Sequence, residues 1–480
     1  MFIRGVYYNL IMKKYWPLLI IFFSLLIFSP ALVNFFSSDD WFHLRISQIN
    51  NFGDFLSFFS FFPNDHSAAF YRPLSTQVFF FVFQKLFGLN TLPYYIFVFL
   101  VFGLSLFLVY RLAQHVFNNQ KQSLLALLFY SFSVTHFTRL YFLSAFQEIL
   151  MTVFVLLAVL TYFKKPSWKI DLLTALFFIL ALLCKETAIV LPLILILFDW
   201  FNGHFRPKRL IPLLLILLPY LYFRFIYFGQ TGGDSYLWDF SLKKFLNTFF
   251  WYSLWSFGAP ELLVDYVSGG FKILPRFFSD FPFWSKIVLS LTGCTLTSFT
   301  ILLITNFRKI EARKILLSLG IFLFSLSPVL FLPLHKFTLE LTLPMIGFSF
   351  FLTEICSVKR SWLTSLFVVL FVILNLSMNL LTYQTHYTVN RSRIAQKVYQ
   401  YFTSNYPQYP QDRYFEFIND QNIENKIWGV SKQVAFAVGG DNFFQVLYHK
   451  KGIQAFYQDL PEEKPKNKQP ISINSSIFLP

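Results

Sequence analysis

Charge is what this chain has least of. Only 13% of its 480 residues are Asp, Glu, Lys or Arg, against about one quarter in a soluble domain, while 56% are hydrophobic. No water-soluble core of this length hides so much apolar surface, so the composition reads as an integral membrane protein. Cysteine is scarce too. Cys184, Cys294 and Cys356 lie in or beside apolar stretches without metal-ligand spacing, which argues against a disulfide framework. There is no internal repeat of fixed period. The first apolar run is roughly span length and no small-residue cleavage site follows it, so we expect an uncleaved anchor rather than a signal peptide.

Aromatic residues are plentiful, with 68 Phe and 25 Tyr. We read them as lipid-facing or packed between helices, not as a ligand site. The net charge of +16 raises the question of nucleic acid, but its distribution answers otherwise. Lys and Arg gather between apolar runs as Arg4/Lys13/Lys14, Lys164/Lys165/Lys169, Arg206/Lys208/Arg209, Arg308/Lys309/Arg313/Lys314 and Lys359/Arg360. Positive clusters at alternate loops orient a polytopic protein in its membrane. They do not form a polyanion-binding face.

A span needs about 20 apolar residues. On that rule helices are predicted near 15–36, 92–113, 122–138, 146–163, 168–184, 187–201, 210–228, 286–306, 315–333, 338–357 and 361–383, about eleven in all. With the N-terminus inside, the basic clusters fall on the cytoplasmic side. Asp39, Asp40, Arg72, Arg139, Glu148, Lys185, Glu186, His335 and Lys336 then all emerge on the outer face. Residues 46–62 and 73–87 mix apolar and polar positions and read as interfacial helices. Residues 230–285, opening at Gln230 to Asp234, are similarly mixed, and Phe245–Gly258 reads as a re-entrant or interfacial helix. The fold class is therefore an all-α polytopic membrane domain over 1–383, followed by a small extracytoplasmic domain over 384–460. There, a helix is expected near Asn390–Phe402, and short apolar runs read as strands or helix segments. The tail 461–480 is low in hydrophobics and expected to be disordered.

An ionisable residue at membrane depth is costly and marks function by default. Asp39 and Asp40 stand at the mouth of the first span, in a chain with 24 acids in total. Successive helical residues point about 100° apart, so one carboxylate can enter a site while the other caps the helix. Arg72 precedes Pro73, which suits a helix start, and an Arg beside a helix N-terminus suits phosphate. Glu148 opens an apolar helix. Lys185 and Glu186 form a turn between spans where they can pair, and His335 and Lys336 precede another helix. Each has a bland reading: a cap, an interfacial cation, a local ion pair. Together, outer-face carboxylates and cations suit one task, holding a lipid-linked phosphate while a base removes a proton from an acceptor.

The chain resembles the GT-C superfamily of polytopic glycosyltransferases, in particular the branch of protein O-mannosyltransferases and transmembrane TPR-mannosyltransferases. The matching pieces are Asp39-Asp40, Tyr71-Arg72-Pro73-Leu74, Leu86-Phe87-Gly88, Gln147-Glu148, Leu183-Cys184-Lys185-Glu186 with Leu191-Pro192, and Leu334-His335-Lys336 with Leu343-Pro344. The resemblance implies a catalytic base at Asp39, or else Asp40, and an acceptor- or metal-contacting acid at Glu148. It implies a polyprenyl-phosphate sugar donor, such as a mannose-like hexose, with inversion at the anomeric carbon. Arg72, Lys185 and Lys336, with His335, would face the donor phosphate, and Tyr71, Arg139 and Glu186 stand beside them. The acceptor would be a protein, glycan or lipid. Lys336 stands where relatives often carry Arg, and TPR repeats are absent, so protein-acceptor recognition does not carry over. No His/Cys ligand spacing supports a metal, although Asp39, Asp40, Glu148 and Glu186 could bind one divalent cation. A transporter or flippase of a lipid-linked sugar needs similar cations, but should place polar groups near mid-bilayer rather than at one face. A non-catalytic scaffold would leave the outer-face acids unexplained.

Overall fold

The structure is a computed structural model that describes residues 2–68, 70–227, 236–358, 362–420, 429–465 and 468–479, with side chains from residue 15 onward. The expectations placed on Gln230 to Asp234 and on Lys359/Arg360 lie outside these residues, as do the side chains of Arg4, Lys13 and Lys14.

Apolar runs bounded by Pro, Gly and charge become helices. Among the described residues six are long and apolar enough to cross a membrane: Tyr15–Val33, Thr91–Phe117, Leu143–Tyr162, Pro207–Tyr227, Trp284–Lys309 and Trp362–Asn405. The chain is a multi-pass membrane protein. The other expected spans are shorter. Gln120–Ser131, Trp168–Leu182, Leu191–Asn202, Ala312–Leu326 and Pro344–Ser357 run from 12 to 15 residues. Short 3-10 turns, Glu186–Val190 and Thr338–Leu341, lead into two of them. In those two the shortening has a local cause. Pro192 and Pro344 sit in the first turn of their helices, and proline biases the residue before it away from helical geometry.

The chain divides into two compact units. The first comprises Met1–Ser29, Val98–Arg139 and Gln147–Tyr383; the second comprises Pro30–Phe97, Leu140–Phe146 and Gln384–Pro480. A break falls between Tyr383 and Gln384, but residues 1–383 are not one unit, because the loop after the first span and Leu140–Phe146 group with the C-terminal residues.

In the first unit, helices pack closely where side chains are small. A Cβ on Gly347 would collide with the backbone of Ser318 and Phe322, so glycine lets Pro344–Ser357 lie against Ala312–Leu326. At Gly258, φ is 110° and an added Cβ would come within 2.5 Å of the Asn375 amide. Asn375 in turn accepts from Val134 N at 2.8 Å and donates to Phe371 O at 2.9 Å. Three helix ends converge on one buried acid, Asp199. Its Oδ2 accepts from Tyr162 Oη at 2.8 Å and Arg206 N at 2.9 Å, and its Oδ1 accepts from Arg206 Nη2 at 2.9 Å. Arg209 reaches Asp171 at 2.6 Å and lies 4.1 Å from the Tyr162 ring centroid. Two members of a cluster read only as an orientation device thus also tie helices together. Asp199→Asn should turn an amide N–H toward these donors and lower stability by about 1–3 kcal/mol, read as a lower melting temperature of purified protein.

The second unit ends in a small three-stranded sheet. β1 (Arg413–Ile418) lies between β2 (Ala455–Tyr457) and β3 (Gln469–Asn474), and both pairings are parallel. The connection from β1 to β2 contains the helices Val430–Val438 and Asp441–Leu447, the length of crossover that parallel pairing demands. Phe402, Phe415, Phe417, Phe443 and Phe444 are fully buried around it. The expectation of a disordered 461–480 tail is corrected over residues 469–478. Ile471 and Ile473 pair in register with Phe415 and Phe417, and the 3-10 turn Ser475–Phe478 buries Phe478. Backbone ladder bonds order a segment that composition alone reads as loose.

Candidate active site

In the second unit, the residues before the acid pair set up the helix Asp39–Ile46. Ser38 has φ 51°, the left-handed region that non-glycine residues seldom enter. It is held there from outside its own helix. Its N–H donates to Ala437 O at 2.8 Å and its hydroxyl to Phe436 O at 2.9 Å. Gly439, with φ 62°, approaches so closely that a Cβ would lie 2.7 Å from Ser38 O. Trp41, fully buried, packs edge-on to Phe443 at 4.8 Å, and Arg45 Nε donates to Asn442 at 2.7 Å. The C-terminal segment therefore buttresses the acidic helix.

Both carboxylates occupy the first helical turn, where the helix dipole favours negative charge. Their surroundings differ sharply. Asp40 is fully buried and accepts three hydrogen bonds: Ser37 N at 3.0 Å, Ser144 N at 2.8 Å and Ser144 Oγ at 2.6 Å. Burial dominates and pushes its pKa up to about 7, with Asp39 adding to the rise and the hydrogen bonds opposing it. Asp39 is accessible at its surface. The protein around it nonetheless raises its pKa, an effect that the nearby Arg391 guanidinium reduces. Arg391 donates to Ser38 Oγ at 3.3 Å and lies over the rings of Tyr387 and Phe436.

A relay runs from Asp40 through Ser144 to His43. Because the Ser144 hydroxyl donates to Asp40, it accepts from His43 Nδ1 at 3.0 Å, which assigns the proton to that nitrogen. Burial, and then the Arg72 charge, push the His43 pKa down to about 3, so the imidazole is neutral. Arg72 is buried, with its guanidinium 4.1 Å from the Phe70 ring centroid. Tyr71 stacks on Phe61 at 4.0 Å and donates to Phe59 O at 2.9 Å, and burial raises its pKa to about 12.

In the first unit, the remaining candidates form a second charged cluster. The Lys185 ammonium is buried and pairs with Glu148 Oε1 and, at 2.8 Å, with Glu340 Oε2. Glu340 Oε1 lies 3.6 Å from His335 Nε2. Arg139 is fully buried and donates to the carbonyls of Thr338 and Leu339 at 2.9 and 2.8 Å, pinning the turn that carries Glu340. Thr338 in turn donates through N and Oγ1 to Glu261 at 2.7 and 2.5 Å. Burial raises the Glu261 pKa against those two bonds. Lys336 donates to Asn247 at 2.9 Å, and partial burial lowers its pKa. Glu186, half-buried, opens the 3-10 turn that follows Lys185.

The structure thus brings Asp39, Asp40, Tyr71 and Arg72 into one unit, and Arg139, Glu148, Lys185, Glu186, His335 and Lys336 into the other. Sequence reasoning missed Ser144, Arg391, Glu261 and Glu340. For Glu340 a signal existed: an acid four residues from Lys336, in a chain sparing with acids. Ser144 and Arg391 carried none, since their partners lie about a hundred residues away or more. Among the described residues no group of three or more His, Cys, Asp or Glu is arranged to hold a metal ion.

Fold and charged clusters describe a mostly helical, multi-pass membrane protein with a small C-terminal sheet. Residues 72–227 match the family model described as dolichyl-phosphate-mannose-protein mannosyltransferase, which bears out the GT-C resemblance over that third of the chain. No curated protein matches the chain significantly. A crystal structure of ArnT from Cupriavidus metallidurans in the apo state is similar at 13% identity, with a TM-score of 0.41, over 88% of this chain and 84% of that one.

Proposed function

We propose that this protein is a membrane glycosyltransferase that moves a sugar from a polyprenyl-phosphate donor to an acceptor hydroxyl at the extracytoplasmic face. The observation that carries the reading is the unequal acid pair. Asp40 is locked by three donors, whereas Asp39 is accessible and has a raised pKa. A carboxylate base works best when its pKa lies nearer the operating pH and its oxygen can reach the acceptor. In this reading Asp39 takes the proton from the acceptor hydroxyl. The hydroxyl oxygen bonds to the anomeric carbon, the bond from that carbon to the phosphate oxygen breaks, and polyprenyl phosphate leaves with inversion. Asp40, held by Ser37 and Ser144, fixes the helix that presents Asp39.

Arg72 is the cation assigned to the leaving phosphate in the second unit, with a guanidinium fork suited to two phosphate oxygens. In the first unit, Lys336 and His335 are kept as phosphate-contacting candidates and Glu148 as an acceptor-contacting acid. Lys185, engaged by two carboxylates, is assigned to holding Glu148 in place. A mannose-like hexose is the donor sugar that the family match over 72–227 favours.

The test is transfer by purified protein supplied with polyprenyl-phosphate mannose and, separately, other polyprenyl-phosphate hexoses. Sugar appearing on an acceptor, with free polyprenyl phosphate released in equal amount, supports the reading. Movement of intact lipid-linked sugar across a vesicle without transfer would make the protein a transporter.

A further inference from the structure

We propose that the second unit carries a separate saccharide-binding recess at the C-terminal end of the acidic helix. A cavity of 660 Å³ opens where that helix ends at Ser47, bounded also by the helix Phe79–Phe87 and the turn after Asp441–Leu447. Its volume falls within the usual range of small-molecule sites. Four of its lining residues are carboxamides, Gln48, Asn50, Asn51 and Gln84, and none is a carboxylate. Phe81, Lys85 and His449 complete the chemistry.

One side chain marks this lining as built for a ligand. The Gln48 Nε2 atom is buried and finds no hydrogen-bond acceptor among the described residues. Buried donors are almost always satisfied, so an orphan beside a cavity calls for a partner from outside.

The chemistry selects the ligand class. A carboxamide offers both donors and an acceptor, as a sugar hydroxyl does, so several amides together recognise a neutral polyol. An aromatic face such as Phe81 covers the apolar side of a pyranose ring. A phosphate would call for several cations or convergent backbone donors, and here there is one lysine and one histidine. Ile49, Leu89, Val446 and Leu447 add apolar wall, but an acyl chain would leave the four carboxamides without partners.

The acidic helix has eight residues and rises about 1.5 Å per residue, which puts its far end roughly 12 Å from Asp39. That separation places the recess away from the reacting hydroxyl, where it would grip a distal part of a glycan acceptor. This acceptor role rests on the glycosyltransferase reading above; binding of the saccharide itself does not.

The experiment uses the full chain in detergent, titrated with maltotriose and with α-1,6-mannotriose by saturation-transfer NMR and calorimetry. At least one trisaccharide should bind. Gln84→Ala and Asn50→Ala, at partly or fully exposed positions, should each weaken it at least about fivefold. Gln48→Met should weaken binding similarly while leaving the melting temperature equal or higher, because it removes an unsatisfied buried donor. Asp39→Asn should leave binding intact. Failure of both sugars to bind, unchanged binding in all three recess variants, or displacement of the sugar by inorganic phosphate overturns the proposal. If sugars bind as described but no donor supports transfer, the glycosyltransferase reading fails and the recess stands. If transfer proceeds and neither trisaccharide binds, the recess falls and the glycosyltransferase reading stands.

Discussion

Asp39→Asn is expected to lower kcat/KM for sugar transfer by about 10²–10⁴-fold, the usual contribution of a positioned general base. The fold should survive, since Asp39 is accessible and the helix is held through Ser38, Asp40 and Trp41. Asp40→Asn should behave in the opposite sense. Its two oxygens face only donors, so an amide nitrogen in either place meets an N–H or O–H, and stability falls by about 1–3 kcal/mol. Melting temperature and kcat/KM measured on both variants separate the roles. Normal turnover in Asp39→Asn with a melting point like wild type would remove Asp39 as base.

The pH profile sharpens the same test. Desolvation by the surrounding protein raises the Asp39 pKa above its ordinary 3.8, so the ionised base becomes populated at higher pH than in a free carboxylate. The rate should therefore climb with pH along a limb displaced upward from that of a free carboxylate, and the limb should vanish in Asp39→Asn. Stability moves the other way at Asp40. A folded-state pKa of about 7 against 3.8 means that the native state binds the proton more tightly. That contribution is complete below about pH 3.8 and is lost as pH rises through 7.

How much of this was legible beforehand depends on the range of the interactions. The apolar runs, the basic clusters and the acids beside the apolar runs announce themselves because charge is expensive near lipid. The divergence of Asp39 and Asp40 follows from the helical step alone. By contrast, the locking of Asp40 depends on Ser144, 104 residues away, and Ser38 is braced from Phe436 and Ala437. No periodicity encodes such pairings. Segment 469–474 misled for a related reason: its polar flanks suggest a loose tail, but its order comes from backbone hydrogen bonds to β1, which depend little on side-chain identity, Pro470 alone lacking an N–H to donate. The residues at Lys185 misled through proximity. Lys185 and Glu186 look like a local ion pair, yet the ammonium is held by Glu148 and Glu340 from two other segments.

Lys185→Met should accordingly be the most destabilising of these substitutions, by about 3–5 kcal/mol, the usual penalty for stripping one partner from a buried ion pair. Lys185 is 2% exposed, and Glu148 and Glu340 are 2% and 6% exposed. Removing the ammonium leaves two carboxylates facing each other with little water to screen them. Glu148→Gln should cost less, because it leaves Lys185 paired with Glu340 and puts a neutral amide in the vacated position. The double variant Lys185→Met/Glu148→Gln should recover part of the loss, since it removes one of the two stranded charges. Thermal unfolding of the three variants in detergent gives that coupling directly. A lysine whose main task is to contact a donor phosphate predicts a different pattern. Lys185→Met would then keep a melting point near wild type and raise KM for the lipid donor, and the double variant would rescue nothing. Because the ammonium already has two carboxylate partners, the first pattern is the expected one.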